Sequence, residues 1–287
     1  MHIELENEGK YCAGANTSNL AGSSVEGCSV SMGIATMGIV GQLRRRFSHL
    51  TNWAVGSGKI SYAQCGEDLI VEYVLTALGV DKVSYLDIGA HHPRYLSNTY
   101  LFYRQGGRGV CIEPDSNLLK RFEQAHPRDI CLPVGIGNLP GTADLFLMTT
   151  PTLNTFSRTE AERYQSYGTE RIEGVVSVEI KAVNQLLEEY FTIPPDFVSI
   201  DMEGMDLMIV KSYDFVRFRP KVLCVETLTY AEDGSEKKIS EIENVLREND
   251  YLIYADAYIN TIALDRLAWE SRRSLRSRKH DNSPTFR

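Results

Sequence analysis

The sequence has no run of about 20 apolar residues, the length that a membrane-spanning helix needs, so no membrane span is expected. Its six cysteines include no C-x-x-C pair and no histidine–cysteine cluster with zinc spacing, which argues against a structural zinc site or a dithiol redox motif. Three of the cysteines lie in apolar, strand-like runs, where cysteine serves as a small hydrophobic residue. We therefore expect reduced thiols and a cytoplasmic location.

Positive charge is also scarce over most of the chain. The formal net charge is −8, and nucleic-acid binding generally needs a basic face, so no nucleic-acid partner is expected. The exception is the C-terminus, where seven Lys or Arg from Arg266 onwards stand against only Glu270 and Asp281. Residues 269–287 are predicted to form a solvated basic tail, with weak contact to an anionic membrane or an acidic partner as the alternative. No sequence pattern defines the oligomeric state.

Two parts of the chain differ in pattern. Residues 1–58 are rich in Gly, Ser, Asn and Thr and lack sustained periodicity, which predicts a poorly ordered extension. Over residues 59–268, short apolar strands alternate with helices, which predicts one α/β domain with a mostly parallel sheet. The last two predicted strands, 251–255 and 261–264, are too close in sequence for a parallel crossover. A Rossmann-like α/β fold with a C-terminal antiparallel hairpin is therefore predicted.

The residues that end each predicted strand are the first candidates for a site, because open α/β sheets bind ligands beyond the carboxyl ends of their strands. Carboxylates recur at these ends, where a cleft accommodates them better than a core does. The third strand is predicted as a single element over residues 129–136. The predicted strand ends are residues 87–90, 113–115, 135–137, 201–204 and 226–227.

The turn after the first strand lacks the glycines of a dinucleotide fingerprint. A G-x-G-x-x-G motif that began at Gly89 would need glycine at two positions that hold His91 and Arg94, so close approach of a pyrophosphate is not provided. Gly89 still allows a ligand to lie against the turn. Glu113, 24 residues beyond, is placed to accept both hydroxyls of a ribose. Adenosine without pyrophosphate fits both facts; alternatively, Gly89 only turns the chain and Glu113 only caps the next helix.

Five motifs in this order resemble the FkbM family of S-adenosylmethionine-dependent methyltransferases. They span about residues 61–265 and are Q-C-G-E-D at 64–68, L-D-I-G-A-H-H-P at 86–93, S-N-T at 97–99, C-I-E-P at 111–114 and I-D-M-E-G-M-D at 200–206. The resemblance implies the class I methyltransferase fold, a seven-stranded sheet whose last strand is antiparallel. It also implies S-adenosyl-L-methionine as the cofactor.

Cofactor-binding residues are assigned from the strand ends and from this resemblance. In the segment before the first helix, Gln64 or Glu67 is expected to bind the ammonium group of the cofactor, although Glu67 also suits the helix dipole. Where many family members have Asn and Gly, this chain has His91, His92 and Pro93, as in the subset that carries Q-x-G-E-D and S-N-T. The predicted cofactor-binding residues are Gln64, Glu67, Asp87, Gly89, Ala90, His91, Asn98, Glu113, Pro114, Gly135, Ile136 and Asp201.

Catalytic candidates come from the carboxylates near the fourth and fifth strand ends. Asp201, Glu203 and Asp206 would repel one another unless a proton or a cation is present, although Asp206 also suits the first turn of a helix. Methyl transfer to a hydroxyl calls for a general base. Glu203 is the first candidate for that base, followed by Asp201, His91 and Glu226. A divalent metal bound by Asp201 and Glu203 is the alternative arrangement.

The resemblance implies O-methyl transfer to a sugar, a glycan or a small natural product. Two alternatives stay open. One is a non-catalytic adaptor of the same fold that binds the cofactor. The other is a methyltransferase for another acceptor class such as RNA, which the acidic chain and the absence of an N-P-P-Y-like tetrapeptide make less favourable.

Overall fold

A computed structural model describes residues 58–202, 204–231 and 234–272 of the chain. The predictions for the N-terminal extension, for Glu203 and for most of the basic tail lie outside the described residues. Within them, no helix is both long enough and apolar enough to cross a membrane. The cysteines in this part of the chain are free thiols.

Helices and strands alternate along the described residues, as the hydrophobic periodicity predicts. The helices are α1 (Glu67–Ala77), α2 (Tyr100–Arg104), α3 (Ser116–Ala125), α4 (Arg158–Ser166), α5 (Val183–Tyr190), α6 (Asp206–Ser212) and α7 (Ser240–Glu248). The strands are β1 (Ser84–Ile88), β2 (Arg108–Ile112), β3 (Ile130–Leu132), β4 (Gly135–Gly137), β5 (Gly141–Met148), β6 (Ile172–Ala182), β7 (Phe197–Ile200), β8 (Val222–Glu226), β9 (Tyr251–Asp256) and β10 (Asn260–Asp265). A 3-10 turn covers Pro151–Leu153, and a further helical segment covers residues 266–272.

Seven strands form the main sheet in the order β3-β2-β1-β7-β8-β10-β9. β1 pairs in parallel with β2 on one side and with β7 on the other, and β7 pairs in parallel with β8. β10 runs antiparallel to both β8 and β9, so the predicted Rossmann-like α/β fold with its C-terminal antiparallel hairpin is confirmed. The strand order switches direction between β1 and β7, which is where a sheet of this kind opens a ligand crevice.

The central strands are buried on both faces, as their uninterrupted apolar runs predict. Along β1, Leu86 and Ile88 belong to one hydrophobic core cluster, whereas Tyr85 belongs to a second cluster on the opposite face of the sheet. This alternation is the two-residue period of a strand. Because both core clusters fix the register of β1 and its neighbours, the strand tips and their carboxylates have defined positions.

The prediction of a single third strand over residues 129–136 is wrong. The segment divides into β3 and β4 around Pro133, which has no N–H to donate to a neighbouring strand. β3 stays in the main sheet, whereas β4 joins a second, three-stranded sheet in the order β4-β6-β5. Phe146 of β5 packs against Tyr164 of α4 in a small separate core.

The S-N-T segment at residues 97–99 precedes α2, which begins at Tyr100. Leu96 has a positive φ of 55°, which interrupts any helical geometry immediately before Ser97. The Ser97 hydroxyl oxygen nevertheless accepts a hydrogen bond from the Tyr100 N–H at 3.0 Å, so the serine satisfies a donor in the first turn of α2.

Candidate active site

A cavity of about 400 Å³ opens at the carboxyl ends of β1, β2, β7 and β8. We divide its lining by origin into a strand-end wall, from these tips and nearby segments, and an outer wall, from the segments around β5, after β8 and between β9 and β10. The strand-end wall consists of Gln64, Asp87, Gly89, Ala90, His91, Leu96, Ser97, Asn98, Glu113, Pro114, Ser199, Asp201, Met202 and Glu226. The outer wall consists of Leu145, Pro151, Thr152, Leu153, Asn154, Phe156, Leu228, Thr229, Tyr230, Ala231, Glu236, Tyr258 and Ile259.

Most of the sequence-predicted site residues lie in the strand-end wall, but Gly135 and Ile136 do not line the cavity. These two residues belong to β4, which leaves the main sheet after Pro133. A Cβ on Gly135 would lie 2.5 Å from the Phe156 ring, so the glycine serves close packing between β4 and its neighbours. The structure therefore corrects the placement of both residues.

Glu67 is likewise absent from the cavity lining, and its side chain is fully buried. One of its carboxylate oxygens accepts a hydrogen bond from the Cys65 N–H at 2.7 Å, and the other accepts one from the Asn260 side-chain amide at 2.8 Å. The Glu67 carboxylate thus connects the start of α1 to the start of β10, through one hydrogen bond at each oxygen. Of the two candidates for the cofactor's ammonium group, the structure brings only the exposed Gln64 to the cavity.

Gly89 follows β1 in the left-handed region, with φ of 81°. A Cβ at this position would lie 1.7 Å from the backbone carbonyl oxygen of Asp201. Glycine is therefore required by contact with the end of β7, and Gly89 also lines the cavity, so the prediction that a ligand lies against this turn stays a prediction. The backbone N–H groups of Gly89 and Ala90 both donate to the Ile112 carbonyl, at 3.1 and 2.9 Å, so the turn is fixed to β2 as well.

Glu113 follows β2 and is buried in the cavity wall. Its two carboxylate oxygens accept one backbone N–H each, from His91 and from Asp115, both at 2.8 Å. Burial raises the pKa of Glu113 to about 7, although these two hydrogen bonds oppose the rise. The carboxylate is therefore fixed in orientation and joins the loop after β1 to the loop after β2.

Asp87 lies at the base of the strand-end wall and is almost completely buried. The Thr99 hydroxyl donates to its carboxylate at 2.5 Å, and burial raises the pKa of Asp87 to about 6 against the effect of that bond. Beside it, the Asn98 amide donates to the Ser199 hydroxyl oxygen at 3.1 Å. The S-N-T segment thus anchors the helix start to β1 and β7, and Asn98 still reaches the cavity.

The two adjacent histidines after β1 have different surroundings. His91 lines the cavity with a positive φ of 49°, and burial lowers its pKa, assisted by the nearby charges of His92 and Arg121. The Nδ1 atom of His92 accepts hydrogen bonds from the backbone N–H groups of Arg94 and Tyr95 at 3.1 and 2.9 Å. His92 therefore shapes the loop, whereas His91 faces the site as a predominantly neutral imidazole.

Asp201 and Glu226 end the adjacent parallel strands β7 and β8, and both line the cavity. Their side chains share a hydrogen bond. Two carboxyl groups can hydrogen-bond only when one of them carries a proton. Burial and the charge of Asp206 raise the pKa of Asp201 to about 7, and the bond with Glu226 moderates this rise. Asp201 therefore titrates near neutral pH, next to the Glu226 side chain.

Asp206, the third carboxylate of the strand-to-helix segment, serves the turn itself. It is buried, and one of its oxygens accepts the Met202 N–H at 2.9 Å. Burial raises its pKa to about 6, while bonds from backbone N–H groups oppose the rise. Asp206 does not line the cavity, so its part is to close the β7–α6 turn.

A divalent metal at Asp201 and Glu203 gains no support, and Glu203 lies outside the described residues. Among the described residues, the group of three or more side chains with metal-binding atoms close together is Cys111, His126 and Asp129. This group lies apart from the cavity lining. It forms a hydrogen-bonded cluster, in which the Asp129 carboxylate accepts from its neighbours.

The outer wall contains the residues that the sequence did not reveal. Three of them, Phe156, Tyr230 and Tyr258, present aromatic rings, and Glu236 adds a carboxylate whose Oε1 accepts a hydrogen bond from the Tyr258 hydroxyl at 2.9 Å. Part of this wall could have been predicted from the sequence, because the segment after Glu226 follows the carboxyl end of a predicted strand. No comparable signal marks the segment after β5.

The charges of the lining are of one sign. Five carboxylates and no Lys or Arg line the cavity in the part of the chain that the structure describes. Four of these carboxylates, Asp87, Glu113, Asp201 and Glu226, belong to the strand-end wall, and Glu236 extends the negative potential to the outer wall. An anionic ligand would meet no charge partner among them, whereas a cation or a neutral hydrogen-bond donor would be accepted.

The solved structures that match this chain include methyltransferases of low identity. One is the 1,6-didemethyltoxoflavin-N1-methyltransferase of Burkholderia thailandensis, at 10% identity and a TM-score of 0.37, with 83% of this chain and 93% of that chain covered. Another is an O-methyltransferase of Bacillus cereus in complex with S-adenosylhomocysteine, at 13% identity and a TM-score of 0.34, with 81% and 93% covered. A search of curated proteins gave no match.

The family model described as the methyltransferase FkbM domain matches residues 87–253. The matched range begins at Asp87, at the base of the strand-end wall, and includes Glu113, Asp201 and Glu226. It covers more than half of the sequence. Along the chain, it begins at the end of β1, contains β2 to β8 and ends within β9. The chain therefore belongs to the FkbM family of S-adenosylmethionine-dependent methyltransferases.

Proposed function

We propose that this chain transfers the methyl group of S-adenosyl-L-methionine to a hydroxyl of a sugar or another small neutral acceptor. The observation that carries the proposal is the hydrogen-bonded pair of Asp201 and Glu226 in the wall of the cavity. The pair places a proton-accepting group within the strand-end wall, which is proposed for the cofactor. Glu226 also directly precedes the segment after β8 that contributes to the outer wall.

The cofactor side of the proposal rests on Glu113. Each of its carboxylate oxygens accepts one backbone N–H and retains a second lone pair, so both oxygens can still accept a ribose hydroxyl. The negatively charged lining suits the sulfonium and ammonium groups of the cofactor. Gln64 and His91, which line the same wall, are the proposed contacts of the amino-acid end. When bound, the cofactor supplies an electrophilic methyl group.

The proton side of the proposal rests on the carboxyl pair. A neutral hydroxyl is a weak nucleophile, and transfer of its proton to a positioned base during attack assists the displacement. With the pKa of Asp201 at about 7, the pair can accept that proton at neutral pH and return it to solvent after release. We propose Asp201 and Glu226 as this base. His91 and the sequence-predicted Glu203 are further candidates for the same role.

The acceptor side of the proposal rests on the outer wall. Aromatic faces from Phe156, Tyr230 and Tyr258 offer apolar contact, and the Glu236 carboxylate offers a hydrogen-bond acceptor. A sugar ring presents both of the matching surfaces, apolar C–H faces and hydroxyl donors. Without a Lys or Arg in the described lining, phosphate-rich acceptors such as RNA are disfavoured.

The test of the proposal separates cofactor binding from methyl transfer. S-adenosylhomocysteine binding is measured by isothermal titration, and labelled methyl uptake is measured over a panel of sugar, peptide and RNA acceptors. We expect Asp201→Asn and Glu226→Gln to lower turnover about 100-fold or more while retaining cofactor binding. The matched control is Asp81→Asn, which changes an exposed carboxylate outside the cavity and should leave both quantities unchanged.

Three outcomes would contradict the proposal in different ways. Absence of S-adenosylhomocysteine binding would refute the cofactor assignment. Binding without methyl uptake by any acceptor would favour the adaptor alternative. Normal turnover in both carboxyl variants would remove the pair from the mechanism and leave His91 and Glu203 as the bases to examine.

A further inference from the structure

The loop between β1 and α2 forms a large part of the strand-end wall, and its backbone is strained. Two of its non-glycine residues, His91 and Leu96, have positive φ values of 49° and 55°. Both residues line the cavity. Strained conformations of this kind persist only where the surrounding structure holds them in place. The contacts that hold this loop therefore determine the shape of the cofactor wall.

The ends of the loop are attached to the rest of the domain by backbone groups. At the start, the His91 N–H donates to Glu113 at 2.8 Å, and at the end the Ser97 N–H donates to the Tyr62 carbonyl at 2.9 Å. In the middle, the backbone N–H groups of residues 94 and 95 bond only to the His92 ring, which is part of the same loop. Local bonds of this kind shape the loop but do not anchor it.

The middle of the loop is anchored by one residue from the end of α3. The Nε2 atom of His126 lies 2.8 Å from the Pro93 carbonyl oxygen. Among the described residues, this is the hydrogen bond that ties the loop between residues 92 and 96 to another part of the domain. His126 does not line the cavity, so any effect on the cofactor passes through Pro93.

Both ring nitrogens of His126 face acceptors. The Pro93 carbonyl can only accept, so Nε2 carries a hydrogen. The Nδ1 atom lies 3.1 Å from Oδ2 of Asp129, and that same oxygen accepts the Tyr85 hydroxyl at 2.6 Å. The other Asp129 oxygen accepts the Gly109 N–H at 2.9 Å. The ring therefore donates from Nε2 to the loop, while its Nδ1 faces the buried Asp129 side chain.

Aromatic rings fix the plane in which these two bonds form. The imidazole stacks on Tyr103 with ring centroids 4.1 Å apart and an interplanar angle of 4°. It also stacks on Tyr100 at 5.6 Å and 14°, and Phe122 meets it edge-on at 5.4 Å. Because the ring is held between residues of α2 and α3, its Nε2–H has a defined direction toward the loop.

We propose that His126 is a positioning residue for the cofactor: its ring, held by Asp129 and the tyrosine stack, fixes the strained loop through the Pro93 carbonyl. This inference deepens the proposed function and rests on it for the identity of the ligand. It predicts that the Nε2–H donor matters for S-adenosylhomocysteine affinity more than the packing of the ring does.

Two variants of the full chain separate the donor from the packing. His126→Phe keeps an aromatic ring against Tyr103 and removes both ring nitrogens. His126→Gln loses the stacking ring and keeps an amide N–H that can reach the Pro93 carbonyl. We expect S-adenosylhomocysteine affinity to fall about tenfold in His126→Phe and by about threefold or less in His126→Gln, as measured by isothermal titration. A merely structural role would make the affinities follow the melting temperatures instead.

A matched control is available at another proline carbonyl. The Tyr251 hydroxyl donates to the Pro220 carbonyl oxygen at 2.8 Å in a buried position outside the cavity lining. Tyr251→Phe removes a bond of the same length to the same kind of acceptor, so we expect lower stability with unchanged S-adenosylhomocysteine affinity. An equal loss of affinity in this control would overturn the assignment of a specific role to His126.

Hydrogen–deuterium exchange in the absence of ligand tests the anchor independently. In His126→Phe, we expect faster exchange at the backbone amides of Arg94 and Tyr95, with unchanged exchange in β8. If the wild-type chain does not bind S-adenosylhomocysteine, the proposed function fails and this exchange result alone decides the inference. Unchanged exchange in the loop overturns the anchor, whatever the ligand does.

Discussion

The backbone of Gly89 contacts the backbone carbonyl of Asp201, and a Cβ at position 89 would lie 1.7 Å from that oxygen. The two residues follow adjacent parallel strands, and the Asp201 N–H donates to the Ile88 carbonyl at 2.9 Å. The turn that begins the loop between β1 and α2 is thus packed directly on the strand tip that carries a proposed base. A shift of one necessarily displaces the other.

Gly89→Ala is expected to lower the free energy of unfolding by about 3 kcal/mol or more, because overpacking adds to backbone strain. Gly79→Ala is the control, since Gly79 has a similar φ of 79° and no other atom lies within 4 Å of the place that a Cβ would occupy. It should cost about 1 kcal/mol, the strain alone. Urea denaturation compares the two variants, and equal losses would show that the contact with Asp201 is unimportant.

The rate of methyl transfer should depend on pH through the carboxyl pair. The pKa of Asp201 is raised to about 7, so protonation below that value removes the base and turnover should fall as the pH decreases from about 8 to about 6. Single-turnover rates with a saturating cofactor measure this profile. Asp201→Asn should give a low rate with a flat profile; a profile that keeps its wild-type shape in this variant would assign the ionisation to another group.

The ligand-free chain should be more stable at about pH 6 than at about pH 8. Burial raises the folded-state pKa of Glu113 and Asp201 to about 7, above the values of unfolded carboxyl groups. A raised pKa means that the folded state binds more protons between about pH 4 and pH 7, so stability is lost as the pH rises through that window. We expect a difference of about 2 kcal/mol between these two pH values in chemical denaturation.

Glu113→Gln provides the check on this stability profile. The substitution removes one of the two titrating groups and keeps a side chain of similar shape, so the stability difference between the two pH values should fall to about half. The same variant should bind S-adenosylhomocysteine more weakly, because the proposed ribose contact loses its charge. A stability profile that does not change would show that Glu113 titrates normally in the folded chain.

The outer wall should govern acceptor binding and leave cofactor binding alone. Glu236→Gln is expected to raise the acceptor KM about tenfold with unchanged S-adenosylhomocysteine affinity, because Glu236 is the carboxylate of that wall. Glu248→Gln, which changes an exposed carboxylate at the end of α7, should alter neither quantity. Neutral methyl glycosides should be methylated in preference to the corresponding uronates, and preference for the uronates would contradict the anionic-cavity interpretation.

Glu67→Gln tests a residue that the structure moves from the cofactor to the core. Its carboxylate accepts from Cys65 and from Asn260, and the carboxylate itself is buried. We expect a loss of about 1–3 kcal/mol in unfolding free energy, since a buried charged acceptor is replaced. S-adenosylhomocysteine affinity should stay within about twofold of wild type. A large loss of affinity in a stable variant would restore Glu67 to the cofactor site.

The strand-end wall could be predicted from the sequence because its geometry follows from the parallel sheet. Once β1, β2 and β7 are recognised as neighbouring strands, Asp87, Glu113 and Asp201 must lie at one edge of the sheet. Short apolar runs that end in a carboxylate identify these strands without knowledge of tertiary contacts. The antiparallel hairpin could be predicted for an equally local reason, the short spacing between β9 and β10.

The rest of the site depends on packing that no local pattern reports. Pro133 diverts the chain into a second sheet, which removes Gly135 and Ile136 from the strand-end edge. The inward turn of Glu67 depends on Asn260, far away in sequence. The aromatic residues of the outer wall lie on segments whose positions are set by long-range contacts, so their types alone gave no sign of a shared surface.

The second sheet has a consequence for how this enzyme family can diversify. The strand-end wall, the proposed cofactor side of the cavity, is built from the tips of the main sheet and nearby segments. Strands β4, β5 and β6 form a separate sheet, and the segment around β5 reaches the outer wall. Length or sequence changes in that sheet would alter the outer wall, the proposed acceptor side, without moving β1, β2 or β7. Replacing the segment between β4 and β6 with one of different sequence would thus be expected to change which acceptor binds, while the proposed cofactor site stays the same.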